Sequence, residues 1–356
     1  MTAWPDPDAF AALICDWCLE VRPGQQVLIG SSTLGEDPVR ALHRAVLQRG
    51  AWPLLRLTPP GVGEAFYRFA SDVQLDGFAP LELLEVQQID ALINIDAPAN
   101  TRALASVDPA RVTRAARARK AVQEARLSRR WCGSLWPTQA LAQQAGMSLD
   151  EYAAFVAGAL FVDQADPVGA WQALSARQAT LVERLSTAAD IRIEAEGTDL
   201  TLSVEGRTWI NSDGRRNMPS GEVFTGPHER SANGTIRFAI PSSPRGVEVA
   251  DIELRFRDGE VVAAGAGRGN DYLQAALATD AGARYLGELG IGTNVGIDRP
   301  TGSILFDEKM AGTVHLAIGR SYPETGGQNE SALHWDMICD LRTGGRLSAD
   351  GETLDL

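Results

Sequence analysis

The sequence predicts two domains: an N-terminal α/β domain with a parallel-type sheet over residues 1–190, and a C-terminal α+β domain with a mainly antiparallel sheet over residues 191–356. At 356 residues, the chain is longer than one hydrophobic core usually spans. Helical stretches alternate with short apolar strands in the first half, and from Ile191 the pattern changes to period-two strands and tight turns. This change places the domain boundary near residue 190.

The alternation of helices and strands in the first half follows from hydrophobic periodicity and from helix-stop residues such as Gly50. The predicted elements are helices over residues 8–21 and 37–49, and strands over residues 26–30, 53–57 and 91–95. Helices that alternate with apolar strands are typical of a parallel sheet covered by helices. Gly30–Gly35 follows the first strand but lacks the Lys-Ser/Thr of a P-loop, so no nucleotide is predicted.

The second half reads as antiparallel sheet after a long helical stretch over residues 149–189. Its predicted strands include residues 191–197, 200–204, 249–256 and 260–262. Asp258-Gly259 lies between two alternating runs and is a strong hairpin signal. The glycine-rich segment 265–270 is interpreted as a turn, because it follows a hairpin rather than a buried parallel strand.

Charge and composition exclude several partner classes. The net charge is −13, so a phosphate backbone is repelled on average and no nucleic acid is expected. The basic run 111–130 is interpreted as a helix with a solvated face. Without an apolar run of membrane-spanning length or a basic N-terminal region, we expect a cytoplasmic protein that does not bind membranes. The four cysteines, including Cys15 and Cys18, are expected to be buried thiols.

The residues that suggest chemistry lie in the last third of the chain. His334 and Asp336 are two apart, so on a strand they point to the same face and can hold one cation. His315 lies in an apolar strand, where a hydrogen-bonded core role is the simpler interpretation. Glu222 follows a Pro/Gly-rich loop and Glu288 has only apolar and glycine neighbours. Burying either carboxylate costs several kcal/mol unless it is paired or metal-bound, so both predict a nearby cation.

These blocks resemble the thermophilic-type metallo-aminopeptidases, the family of aminopeptidases T, S and II. The segments that carry the resemblance are Asn217–Pro227, which contains Asn-Met-Pro-Ser-Gly-Glu-Val-Phe-Thr-Gly-Pro, and Gly302–Gly319. The resemblance implies a homodimer that acts on short peptides with a free N-terminus. It also implies two divalent metal ions, bound by Glu222, Glu288, His315, His334 and Asp336, with Tyr322 at the edge of the site.

Two ions in such a site would activate a water and polarise the attacked carbonyl. Within the resemblance, the expected catalytic residues are Glu222, Glu288 and Tyr322. Glu288 is the candidate bridging ligand, Glu222 is a ligand or a proton carrier, and Tyr322 is a hydrogen-bond donor to the oxyanion. Histidine and carboxylate ligands leave the metal open among Zn, Co, Mn and Mg.

Two other functions stay open on the sequence. His315, His334 and Asp336 alone form the 2-His-1-carboxylate set of a mononuclear non-haem iron enzyme, and a ring-cleaving dioxygenase has a similar fold. Glu222 and Glu288 favour the peptidase, because a mononuclear iron site does not need two further carboxylates. The other alternative is a binding domain without catalytic activity. His228 is interpreted as either a pocket residue or a structural one.

Overall fold

The computed structural model describes residues 4–355. The helices are α1 Pro7–Leu13, α2 Glu36–Gln48, α3 Val62–Phe69, α4 Asp72–Leu75, α5 Pro80–Gln88, α6 Pro109–Ala118, α7 Lys120–Leu127, α8 Gln139–Gln144, α9 Leu149–Ala159, α10 Pro167–Leu185, α11 Asn270–Leu277 and α12 Ile304–Asp307. The strands are β1 Gln26–Ser32, β2 Trp52–Thr58, β3 Ala91–Asp96, β4 Arg130–Leu135, β5 Asp190–Ala195, β6 Thr198–Ser203, β7 Ile210–Ser212, β8 Asn217–Met218, β9 Glu222–Thr225, β10 Asn233–Phe238, β11 Ala250–Arg257, β12 Glu260–Arg268, β13 Leu286–Gly292, β14 Thr313–Gly319, β15 His334–Asp340, β16 Arg346–Ala349 and β17 Glu352–Thr353. No helix within residues 4–355 has the length and apolar character needed to cross a membrane.

The chain packs as two units, and the first comprises the residues up to Trp171 together with Gly214–Pro219. Its sheet has the order β2-β1-β3-β4-β8, and every neighbouring pair is parallel. Val27 and Ile29 on one face of the inner strands are buried, and so is Leu92 on the other face. Burial of apolar side chains on both faces is what helices over a parallel sheet provide. The predicted parallel sheet of the N-terminal half is confirmed.

The first unit differs from the sequence prediction in its helices. The basic run is not one helix: it forms α6, α7 and the start of β4, although Arg117 and Lys120 are exposed to solvent as predicted. Arg114 donates to Asp72 and Asp76, and Arg119 pairs with Glu82. These acids lie about 40 residues before Arg114 and Arg119 in the sequence, so a local charge pattern could not predict these ion pairs.

The second unit comprises Gln172–Asp213 and the chain from Ser220 onward, and it is built on two antiparallel sheets. One sheet has the order β12-β11-β10-β6-β5-β16-β17 and the other the order β15-β14-β13-β9-β7. Their buried apolar side chains form one core, to which both sheets contribute. Sheets packed face to face in this way leave the outer face of each sheet for other roles. The predicted mainly antiparallel C-terminal domain is confirmed.

The observed division differs from the boundary expected near residue 190, because it falls within α10. Leu181, Val182 and Leu185 at the end of this helix pack on the core of the second unit. The hairpin at Asp258-Gly259 joins β11 and β12, as predicted. The turn expected over residues 265–270 is wrong: β12 continues to Arg268, and Gly269, in the left-handed region at φ 73°, precedes α11. All four cysteines are buried free thiols.

Candidate metal centre

The five-stranded sheet of the second unit presents polar side chains on the face opposite its core. On β14, Val314, Leu316 and Ile318 belong to the core, so His315 between them points to the other face. The same alternation applies on β15, where Trp335 and Met337 are core residues. It directs Glu222 of β9, Glu288 of β13, His315 of β14, and His334 and Asp336 of β15 to one face.

The strand pairing sets these side chains close together, and glycine makes space for one of them. Gly290 of β13 pairs with His315 of β14. A Cβ atom on Gly290 would come within 2.0 Å of the Cε1 atom of His315, closer than two carbon atoms can approach. A glycine is therefore required at this position for the imidazole to lie across β13 towards Glu222 and Glu288.

Two three-residue groups in this face have the geometry to hold a metal ion. The outer group is Glu288, His334 and Asp336, and the inner group is Glu308, His315 and Asp336. In each group the ligand atoms lie within 4.8 Å of one another, and Asp336 belongs to both. The carboxylate of Glu222 adjoins the inner group, with its Oε2 atom 3.7 Å from His315 Nε2. The inner imidazole is fully buried, whereas 17% of the His334 side chain is exposed.

Backbone carbonyls orient both imidazoles. His315 Nδ1 lies 3.0 Å from the carbonyl oxygen of Glu308, and His334 Nδ1 lies 2.8 Å from that of Arg320. If each Nδ1 donates its proton to the carbonyl, Nε2 is the atom left to bind an ion. This is the usual arrangement of histidine ligands, whose second nitrogen is held by a hydrogen bond. Both Nε2 atoms lie 3.4 Å from Glu288.

The donor set fits divalent cations. Glu222 and Glu288 are only 6% and 5% exposed, so their charges need compensation inside the protein. Glu222 Oε2 is buried and makes no hydrogen bond within residues 4–355. A buried carboxylate oxygen without a hydrogen bond is a typical ligand atom, and the mixture of carboxylate and imidazole suits zinc, cobalt or manganese.

The carboxylates of this cluster raise the pKa values of its two imidazoles. Burial lowers the pKa of His315, but Glu288 and the neighbouring carboxylates outweigh burial and raise that pKa to about 9. The pKa of His334 rises to about 11, because Asp336 and Glu288 outweigh burial. In turn the two imidazoles outweigh the burial of Glu288 and hold its pKa at about 2. Burial raises the pKa of Glu308 to about 8, although Lys309 opposes that change.

Binding of a divalent ion is therefore expected to release protons. An imidazole must be neutral to bind a metal, yet His315 and His334 both carry a proton at about pH 7.5, with pKa values of about 9 and 11. Since the metal-free protein holds more protons than the metal-bound protein, the apparent affinity for the metal ion should rise as the pH approaches these two pKa values. Calorimetry in buffers of different ionisation enthalpy should show about two or more protons released per chain. A proton release of zero would contradict the assignment of these ligands.

Tyr322 lies beside the outer group. Its ring makes an edge-to-face contact with His334, at a centroid distance of 5.1 Å, and another with Phe224 at 5.8 Å. Burial raises the pKa of Tyr322, so its phenol stays protonated and can donate a hydrogen bond. A cavity of about 500 Å³ adjoins this side chain, lined by Arg320–Pro323 and Gly327–Ser331.

The cluster contains two residues that the sequence analysis did not single out, Glu308 and Lys309. The Lys309 ammonium contacts Glu308, lies 3.5 Å from Glu222 Oε1 and is fully buried. The available signal was the charged triplet Asp307-Glu308-Lys309 between two apolar segments, directly before the His315 strand. His228 lies elsewhere: its ring is exposed, with Nε2 2.8 Å from the carbonyl oxygen of Glu205.

Comparison with known families decides how this cluster is classified. The profile of the thermophilic metalloprotease family (M29) matches residues 6–354. The chain belongs to family M29. The family expected from the sequence is thereby confirmed, and with it a metal-dependent class of enzyme.

Some relatives align with nearly the whole length of this M29 member. It is 30% identical to Aminopeptidase 2 of Geobacillus stearothermophilus, in an alignment that covers 100% of this chain and 96% of the relative. The solved structure of wild-type AmpT from Thermus thermophilus has a TM-score of 0.83 at 26% identity, covering 98% and 97% of the two chains. The predicted fold is confirmed by this similarity.

The fold is also found in an oxygenase. The structure of 2,5-dihydroxypyridine dioxygenase from Pseudomonas putida KT2440 matches this M29 member with a TM-score of 0.59 at 13% identity. It covers 98% of this chain and 95% of the dioxygenase. At this identity the similarity concerns the fold alone, and it carries no information about the reaction.

Proposed function

We propose that this chain removes the N-terminal residue from short peptides with two divalent metal ions, one held by the inner group and one by the outer group. The coarser statement, a metal-dependent aminopeptidase, has the support of the M29 profile and of relatives named aminopeptidases. The observation that carries the two-ion proposal is the pair of ligand groups sharing Asp336. A carboxylate common to two groups can bridge the two ions of a dinuclear site.

The residues of the site have distinct roles in this proposal. Two bound ions would lower the pKa of a water between them, polarise the carbonyl group of the scissile bond and bind the neutral α-amine. Asp336, through membership of both groups, and Glu288, through contact with both imidazoles, are the candidate bridging carboxylates. Glu222 serves as a further ligand of the inner group or as a proton carrier. The cavity beside Tyr322 would accommodate the substrate.

Tyr322→Phe is expected to lower kcat about 100-fold with little change in KM. The phenol is proposed to donate a hydrogen bond to the oxyanion, and that bond strengthens only in the transition state. Steady-state kinetics with a peptide substrate measures both constants. Tyr272→Phe is the matched control, because its ring packs on Trp335 of the core and should leave both constants unchanged. A Tyr322→Phe enzyme with wild-type kcat would exclude the oxyanion role.

The proposal is tested by measuring ion stoichiometry and reaction class on one preparation. Metal-free protein is reconstituted with Zn²⁺, Co²⁺, Mn²⁺ or Mg²⁺, analysed for metal content, and assayed with short peptides and their N-acetylated forms. We expect about two ions per chain and release of amino acids from the free peptides only. A limit of one iron per chain, with ring cleavage of a dihydroxypyridine and no peptide hydrolysis, would establish the dioxygenase instead.

Three sequence-derived expectations stay predictions within this proposal. They are the identity of the metal, the homodimer and the cytoplasmic location. Sedimentation of the purified protein decides the oligomeric state directly, and the reconstitution series ranks the metals by activity. Neither result would alter the assignment of ligands to the inner and outer groups.

A further inference from the structure

Lysine is rare in this chain, and one of its two lysines is buried in the metal centre. The chain has 33 residues of Lys and Arg together, of which only Lys120 and Lys309 are lysines. The Lys120 side chain is 79% exposed, whereas that of Lys309 is 0% exposed. Arginine thus provides nearly all the positive charge, and the buried exception calls for a specific reason.

Lys309 contacts carboxylates at the inner group and none that belongs to the outer group. Its Nζ atom contacts the carboxylate of Glu308, a member of the inner group, and lies 3.5 Å from that of Glu222. The carboxylates of the outer group form ion pairs with imidazoles instead: Glu288 with His315 and His334, and Asp336 with His334. The fixed positive charge therefore acts unequally on the two groups.

A direct catalytic role does not fit this geometry. A side chain with no exposed surface cannot touch a bound peptide, so Lys309 is a positioning residue. A compact ammonium can lie between two carboxylates where a planar guanidinium would need more space. It stabilises negative charge on Glu222 and Glu308 in the interior. It also repels any further cation that approaches the same two carboxylates.

We propose that Lys309 makes the two metal positions unequal, so that the outer group binds a divalent ion first and the inner group binds a second ion more weakly. This inference rests on the proposed two-ion function. Glu222 and Glu308 are the only ligand candidates that Lys309 pairs with among the ion pairs of residues 4–355. A cation at the inner group must share these carboxylates with the ammonium, and a cation at the outer group does not.

The first test compares ion binding by three forms of the full chain. Zn²⁺ is titrated into metal-free wild type, Lys309→Met and Lys120→Met and followed by calorimetry. For wild type we expect two steps whose dissociation constants differ at least about tenfold, since a nearby unit charge has an effect of this order. Lys309→Met should tighten the second step at least about tenfold, whereas Lys120→Met should keep the wild-type ratio.

Each result of the titration bears on a different claim. Two ions with a wild-type ratio of constants in Lys309→Met would overturn the inference and leave the two-ion function standing. A single ion per wild-type chain, even with excess Zn²⁺, would overturn the two-ion function itself. A purely structural role for Lys309 predicts lower stability without a selective gain at the second step.

A second test needs no variant and covers the case that Lys309→Met does not fold. Wild-type protein labelled with ¹⁵N-lysine has two side-chain ammonium groups, and exposed Lys120 serves as the internal reference. During the Zn²⁺ titration, the Lys309 resonance should change mainly in the second step, when its two carboxylates acquire an ion. A change completed in the first step, or no change at all, would overturn the inference.

Discussion

Glu288→Gln is expected to lower kcat/KM for a short peptide by at least about 1,000-fold, equivalent to about 4 kcal/mol of transition-state stabilisation. The carboxylate of Glu288 lies 3.4 Å from Nε2 of His315 and 3.4 Å from Nε2 of His334. The Glu288 carboxylate can therefore reach a metal ion bound by either imidazole. An amide removes the negative charge at this point and is a much weaker ligand for a divalent ion.

The protein should remain folded in this variant, because glutamine has nearly the volume of glutamate in a side chain that is 5% exposed. Circular dichroism and thermal unfolding check the fold, and metal analysis checks the site. Glu324→Gln is the matched control, because it makes the same chemical change at an exposed acid of the same unit. Full activity in Glu288→Gln would remove this residue from the centre.

Asp336→Asn is expected to reduce metal content from about two ions per chain to less than one, and to lower kcat/KM by at least about 1,000-fold. Asp336 is the residue that the inner and outer groups share. Its loss should therefore weaken both positions at once, whereas a ligand of one group should affect chiefly that group. Elemental analysis after gel filtration measures the content, and peptide hydrolysis measures the rate.

The contrast with His334→Ala makes this prediction specific. His334 belongs to the outer group alone, so we expect its removal to leave the inner group able to bind an ion. Asp340→Asn is the control on the same strand, because its carboxylate pairs with Arg342 rather than with the centre. If Asp336→Asn still bound two ions tightly, Asp336 would not be a shared ligand, and Glu288 would be the remaining bridging candidate.

Two of the strands that carry the centre, β14 and β15, could be predicted from the sequence because their signal is local. Val314, Leu316 and Ile318 alternate with His315 and Ala317, and this period of two identifies both the strand and its two faces. His334 and Asp336 share a face for the same reason. The helix-strand rhythm of the first half is likewise a repeated local pattern, and it predicted the parallel sheet.

Glu308 could not be predicted in the same way. It follows the short helix α12, outside any strand, and no periodic pattern directs its side chain. Its position near the imidazoles depends on the loop between Asn294 and Met310, where Asp307 accepts hydrogen bonds from Thr301 and Gly302. Such a loop is held by contacts that form only after the strands have packed. The pairing of β8 with β4 could not be predicted either, because the two strands are more than 80 residues apart in the sequence.

The sequence by itself determined that His315 lies on an apolar strand and that His334 and Asp336, two apart, share one face of a strand. It also determined that Glu288 is a carboxylate with only apolar and glycine neighbours. Tertiary structure alone decided that Glu308 joins His315 and Asp336, which nitrogen of each imidazole faces the carboxylates, and that Lys309 is enclosed with two acids. Side-chain direction on a strand follows from backbone geometry, a property of consecutive residues. Charge interactions depend on distance and burial, which arise only when segments remote in sequence pack together.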